Sequence, residues 1–363
     1  MGHTNRVLAF IGSYAEETEP SVYACSYDVV LGKLELIDEL SGLANPTFLA
    51  VSEARRTLYA LSEGKDESGK KFGLASAIRI DDTGKLSMLN QATTVPAPTC
   101  HIALDQQEQC LIVSSYHGGM VGVSPLTDEG QVGPASDIHI HNGGSGVQSA
   151  QTQARAHSAF IDRSNRYVLV QDLGADRIVS YRLDAAAGKL IEHGSVNVAP
   201  GAGPRHFAFH PAQSFGYVIN ELNSTITAFS YHDEEGSLTE IQTVSTLPDG
   251  FTGESATADI HISPDGRYVY GSNRGHDSIV IFAIDEKLGT LQLVDHVLTG
   301  GGHPRNFAIS PDGEFLLAAN RDGNHIVSFK RDSRTGMLAA TGSELKLSKP
   351  VCVKITNIPL TTN

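Results

Sequence analysis

The chain has 363 residues, 36 of them glycine and 15 proline, and a formal charge of −14. Such acidity argues against nucleic acid, whose binding rests on many Lys and Arg contacts to phosphate, but leaves room for a small anion held by a local arginine cluster. No apolar run is long enough to span a membrane, and the N-terminal MGHTNRVLAF lacks a signal-peptide core. Cys25, Cys100, Cys110 and Cys352 have no CxxC spacing, so a reduced cytoplasmic protein is expected.

Glycine and proline are spread evenly rather than pooled in a linker, which predicts one domain over 1–363 built of many short strands and turns. Residues 7–13, 22–27 and 34–40 read as three strands. A unit then recurs: Phe48 to Glu63, His101 to Tyr116, His157 to Asp172, His206 to Glu221, Asp259 to Arg274 and Asn306 to Arg321 each differ by 15. The copy at 201–223, GAGPRHFAFHPAQSFGYVINELN, is the clearest, with two apolar runs reversed at His210 and Pro211. Each pair is followed by a third apolar run (178–181, 226–229, 279–282, 326–329), a polar turn and a fourth run. Four-strand repeats of about 50 residues are the signature of β-propeller blades. The last run, 350–356, PVCVKIT, is a first strand without its other three, which are those at the N-terminus. The predicted fold is therefore all-β, a seven-bladed propeller closed by the C-terminal strand joining the N-terminal blade, which leaves no long free edge. The chain contains no Trp, so the WD40 signature is absent.

Several conspicuous residues have structural explanations. The turns Ser263-Pro264-Asp265-Gly266 and Ser310-Pro311-Asp312-Gly313 combine a proline that presets φ with a glycine that accepts positive φ. His139 and His141 alternate along one strand and are expected on an outer-strand surface rather than around a metal. Residues 233–235, Asp-Glu-Glu, read as a solvated turn.

First strands line a propeller's axis, so the positions Phe48, His101, His157, His206, Asp259, Asn306 and Cys352 should converge. A second ring at the ends of the second strands reads Tyr14, Glu63, Tyr116, Asp172, Glu221, Arg274 and Arg321, preceded in three blades by Asn220, Asn273 and Asn320. Arg205 and Arg305 join from the approach loops. Histidines, carboxylates and arginines facing one concavity supply general acid–base chemistry beside an anion clamp. Glu221, Asp172, Asp259 and the asparagines could alternatively act as hard oxygen ligands in a metal-dependent sugar lactonase. A non-catalytic interaction propeller would need no such polar convergence.

At these residues the sequence resembles the seven-bladed lactonases, the family typified by the propeller-type 6-phosphogluconolactonase and including fungal carboxy-cis,cis-muconate cyclases. The resemblance covers essentially the whole chain and is densest in GAGPRHFAFHP, YVINELNSTI, ADIHISPDGRYVYGSNRGHDSI and PVCVKIT. It implies a catalytic set of His157, Arg205, Glu221 and Arg274; His206, Arg305, Arg321, Asn220, Asn273, His101, Asp172 and Asp259, which the repeat register gathers around the axis, are the expected substrate-binding residues. The segment before His157, GGSGVQSAQTQARAH, departs from the Gly-Pro-Arg pattern. The implied reaction is hydrolysis of 6-phospho-D-glucono-1,5-lactone, a step of the oxidative pentose phosphate pathway, on a small anionic sugar lactone without metal or cofactor. A muconate-type cyclase or another sugar lactonase is the competing reading. No GxSxG elbow is present, so direct attack by water is the simpler scheme.

Overall fold

The computed structural model describes residues 6–361. Seven four-stranded antiparallel sheets account for all 28 strands, and a three-residue 3-10 turn, Ser149–Gln151, is the one helical element among the described residues. The first three strands, Arg6–Ser13, Val22–Asp28 and Lys33–Leu40, share a sheet with the last, Pro350–Pro359. This is blade 1, and it closes the ring as expected. Blades 2 to 7 follow in chain order with first strands Leu49–Ser52, His101–Leu104, Ala156–Ile161, Pro204–Phe209, Ala256–Ile262 and Pro304–Ile309.

Closure rests on a ladder running from Val7↔Pro359 to Ser13↔Pro350, reinforced by the Thr356 hydroxyl, which donates to the Leu8 carbonyl at 2.7 Å. Pairing the two chain ends makes Arg6–Ser13 an interior strand and leaves Pro350–Pro359 as the innermost strand of blade 1. The core lies between blades. Second and third strands such as 215–220 and 225–232 carry the buried apolar residues, whereas the fourth strand of a blade, such as Lys189–Asn197, is mostly exposed. Tyr217, Ile219, Ile226 and Ala228 of blade 5 pack on Ile260, Val269, Val280 and Phe282 of blade 6.

The turn motifs are structural. Gly266 has φ +72°, its N–H closes the turn onto Ser263, and an added Cβ would meet the His210 ring at 2.7 Å. Asp265 also receives Arg331 of the next blade at 2.6 Å. His139 is half-buried against Asp137 at 3.0 Å. His141 is not on a surface: it is buried, with Asp172 at 2.8 Å and the Tyr181 hydroxyl at 2.9 Å.

Candidate active site

The site is built from β-bulges. In blade 5 Pro204 faces Asn220 while His206 faces Ile219, so Arg205 is an extra residue without a partner. His157 holds the same place in blade 4, between Ala156↔Asp172 and Ser158↔Gln171, and Arg305 in blade 7, between Pro304↔Asn320 and Asn306↔Ala319. A bulge bends its strand and re-aims the extra side chain. These three residues each lie 21 positions before the first isoleucine of the third strand: Ile178, Ile226 and Ile326.

That register corrects the one predicted for blade 4. His157 is equivalent to Arg205 rather than His206, and Asp172 is equivalent to Asn220 rather than Glu221. Asp172 is fully buried and accepts from the Arg155 and Ala175 amides and from His141, with Arg177 at 3.6 Å. It ties the blade 4 turn together and does not line the mouth. Asn220 and Asn273 are likewise buried, their amides bonded to Thr225 and Thr227 and to the Thr246 carbonyl. All three predicted substrate contacts are thus committed to the hairpins that carry the site.

A cavity of about 260 Å³ opens at this end of the channel, lined by Tyr14, Thr47, Glu63, Thr99, Cys100, Tyr116, His157, Glu221 and Arg305, among others. Glu221 is its charged focus. Its Oε2 lies 2.8 Å from Nε of Arg205, 3.2 Å from Nη2 of Arg274 and 3.9 Å from Nε2 of His157. Burial alone would raise its carboxyl pKa, but Arg274, Arg205 and Arg305 outweigh burial and hold it below the usual range. His157 is held neutral: burial first, then the cations Arg205, Arg305 and Arg274, push its pKa well below the ordinary value.

The arginines differ in what they have left to give. Arg274 donates to the backbone carbonyls of Ala256 and Thr257, at 3.3 and 2.5 Å. Arg205 is almost wholly buried and donates through Nη1 to the Ala258 carbonyl and to Nε2 of His206. Its Nε is close to Glu221, yet that N–H makes no aligned hydrogen bond, so the contact is an ion pair with an unused buried donor. The Nδ1 of His157 is also buried without a partner. Unsatisfied buried groups are rare and call for an explanation such as a catalytic role. Arg305 makes no hydrogen bond or ion pair with any described residue and stands 5.6 Å from the Tyr14 ring. Arg321 is taken up by Asp322 at 2.7 Å and His303 at 3.2 Å and lies outside the cavity lining.

The remaining predicted residues form a septum rather than the mouth. The rings of Phe48, His101, His157 and His206 pack across the axis, with centroids 4.3 Å apart for Phe48 and His101 and 5.4 Å for His157 and His206. Phe48, His101 and Asp259 line a different cavity, of about 590 Å³, together with Phe160, His261 and Lys354. Asp259 accepts from His206, His261 and Asn306. First-strand residues thus divide the channel; of the bulge residues His157 and Arg305 line the mouth cavity, while Arg205, like Arg274, lies outside that lining and reaches it through Glu221. Glu221, Asp172 and Asp259 do not share one lining, so the predicted hard-oxygen set does not converge; among the described residues no three His, Cys, Asp or Glu are placed to hold a metal ion.

A family model described as lactonase, seven-bladed β-propeller, matches residues 8–355. The 6-phosphogluconolactonase of Bacillus subtilis strain 168 is 36% identical over 303 residues, covering 83% of this chain and 84% of that protein. The 6-phosphogluconolactonase of Formosa agariphila is 34% identical over 305 residues, covering 82% and 84%. Among solved structures, the periplasmic gluconolactonase of Pseudomonas aeruginosa superposes with a TM-score of 0.90 at 29% identity, covering 97% of this chain and 100% of that one.

Proposed function

The chain belongs to the seven-bladed β-propeller lactonases, and from that premise we propose that it hydrolyses 6-phospho-D-glucono-1,5-lactone to 6-phosphogluconate by base-assisted attack of water at the mouth. The observation that carries this reading is Glu221, an ionised carboxylate beside two guanidiniums, one of which keeps a buried N–H without an acceptor. Nothing in the geometry favours the cyclase alternative.

A δ-lactone is an activated ester, so one positioned base and a few fixed donors suffice. Glu221 takes a proton from a water molecule as the water oxygen bonds to the lactone carbonyl carbon. The tetrahedral oxyanion is met by Arg205 and Arg274, whose orientation the backbone carbonyls fix in advance. The bond to the ring oxygen then breaks, and Glu221 returns the proton to that oxygen. His157, neutral and 3.9 Å from Glu221, flanks the space in which the water would sit. Arg305, whose guanidinium makes no hydrogen bond or ion pair with any described residue, receives the phosphate. All four cysteines are free thiols, which suits the reducing cytoplasm, and no helix of the described residues is long and apolar enough to cross a membrane.

The test is a hydrolysis assay on purified protein with phosphorylated and unphosphorylated gluconolactone, corrected for spontaneous opening and repeated after EDTA. Turnover of the phosphorylated lactone that survives EDTA is expected; no acceleration over buffer for either lactone sinks the proposal.

A further inference from the structure

The mouth cavity holds a second carboxylate that the reaction above does not use. Glu63 stands at the same place in blade 2 as Glu221 does in blade 5, and three steps is the greatest separation a ring of seven allows. Its surroundings differ from those of Glu221. In blades 3 to 7 the chain reverses three or four residues after the second strand ends. In blade 2 the hairpin continues past Ser62↔Leu74 through Glu63↔Gly73, Gly64↔Phe72 and Lys65↔Lys71 before it turns. The extension raises a lip beside the mouth and brings Nζ of Lys71 to 2.5 Å from Oε2 of Glu63. No described residue donates to Oε1, and the side chain is only 18% exposed.

The wall around Glu63 is made of hydroxyl-bearing residues, Tyr14, Thr47, Thr99 and Tyr116. The Thr99 hydroxyl is buried and has no hydrogen-bond partner among the described residues. Glu221 lines the same cavity from three blades away, with Arg205 and Arg274 against its carboxylate. A substrate bound between Glu63 and Glu221 therefore meets the catalytic carboxylate and its arginines on one side and a hydrogen-bond acceptor on the other. A carboxylate that accepts from ring hydroxyls rewards a polyol and repels a substrate carrying its own carboxylate at that end.

We propose that Glu63 is the specificity-determining residue of this site, accepting hydrogen bonds from the ring hydroxyls of a sugar lactone and so turning its carbonyl toward Glu221. The proposal deepens the lactonase reading and rests on it for the reaction, though not for the binding. Lys71 fixes the carboxylate through one oxygen and leaves the other for the ligand.

The experiment measures kcat/KM of the full chain, Glu63→Ala and Glu63→Gln on D-glucono-1,5-lactone and on δ-valerolactone, the same ring without hydroxyls. Binding of 1,5-anhydro-D-glucitol, which has the hydroxyls and no carbonyl to attack, is followed by calorimetry. The ratio of kcat/KM for the hydroxylated over the bare lactone is expected to fall about 10-fold to 100-fold in Glu63→Ala, as for loss of hydrogen bonds to a charged acceptor, and 1,5-anhydro-D-glucitol should bind more weakly. A ratio that does not move, because both lactones fall together or neither does, overturns the assignment. If the parent protein opens neither of these unphosphorylated lactones, the hydrolase reading is left to the phosphorylated lactone and the calorimetry alone decides on Glu63: weaker binding in Glu63→Ala supports the assignment, and equal or absent binding in parent and variant overturns it.

Discussion

Nδ1 of His206 lies 2.7 Å from Oδ1 of Asp259, and both side chains are buried. The bond fixes the imidazole as the tautomer protonated at Nδ1, which leaves Nε2 free to accept from Nη1 of Arg205 at 3.3 Å. Burial and then Arg205 lower the His206 pKa to about 4, so the acceptor survives at neutrality. A carboxylate behind the septum thus aims a guanidinium in front of it. His206→Phe keeps the ring packing and removes the acceptor, and kcat should fall about 10-fold. His206→Gln, which retains an acceptor at a similar reach, should restore most of that loss. Equal kcat in the two variants, with unchanged melting temperatures, would mean that His206 only fills space.

Acid should weaken the fold earlier than carboxylate chemistry alone predicts. His101, His157 and His206 have pKa values lowered in the native state, first by burial, whereas an unfolded histidine titrates near 6.5. A lowered native pKa means that the unfolded chain binds more protons below pH 6.5, so stability is full above that pH and falls beneath it. For His206 the window runs from 6.5 down to about 4. Each histidine contributes about 1.4 kcal/mol per pH unit inside its window. Urea midpoints measured from pH 8 to 5 should hold steady to about 6.5 and then decline; a flat series to pH 5 would refute the coupling.

Arg305 and Arg205 should separate kinetically, although both read from the sequence as anion ligands. Arg305 makes no hydrogen bond or ion pair with any described residue, whereas Arg205 is engaged by Glu221, His206 and a carbonyl. Arg305→Ala should raise KM for the phosphorylated lactone about 10-fold with kcat little changed, and alter the unphosphorylated lactone less. Arg205→Ala should lower kcat on both. An equal KM effect of Arg305→Ala on the two lactones would take the phosphate away from it.

The ring, its seven blades and its closure were legible because hairpin length and strand alternation survive loop variation. The face on which each residue lands was less so. Aligning blades on a histidine puts His157 beside His206, but His157 is the bulged residue of its strand and His206 the residue after the bulge, and with a side-chain period of two a slip of one exchanges faces. Counting back 21 from Ile178, Ile226 and Ile326 recovers the true register, with His157, Arg205 and Arg305 as equivalents. That His101 and Asp259 line the cavity behind the septum could not be read from spacing, which says that residues approach the axis and not at what depth. Glu63 stood in the predicted second ring. Its distinguishing context, the extended hairpin, shows in sequence only as 12 residues from Ser62 to its partner Leu74, where Asn220 to Thr225 needs five.

The choice of base is decided by two residues whose atoms come within 3.9 Å. Glu221 is ionised at any pH near neutrality, since Arg274 and Arg205 outweigh its burial, but the same cations make it a weaker base. His157 is neutral and able to accept a proton, yet burial and the surrounding arginines make the resulting imidazolium costly. An imidazolium would add a cation to a cluster of three, whereas protonating Glu221 removes an anion that the arginines could exchange for the developing oxyanion. That exchange creates no additional buried ion in the transition state, whereas the His157 route creates both an imidazolium and an oxyanion, and it favours Glu221. Glu221→Gln keeps the size of the side chain and removes its basic oxygen, so kcat should fall by about 10²–10⁴ with KM little changed. His157→Asn should cost less in kcat. Because both pKa values are lowered, kcat of the parent should stay level from pH 8 to below 6.5 and decline only further into acid, once spontaneous opening is subtracted. Near-parental kcat in Glu221→Gln, together with abolished turnover in His157→Asn, would make Glu221 a clamp for the two arginines and His157 the base.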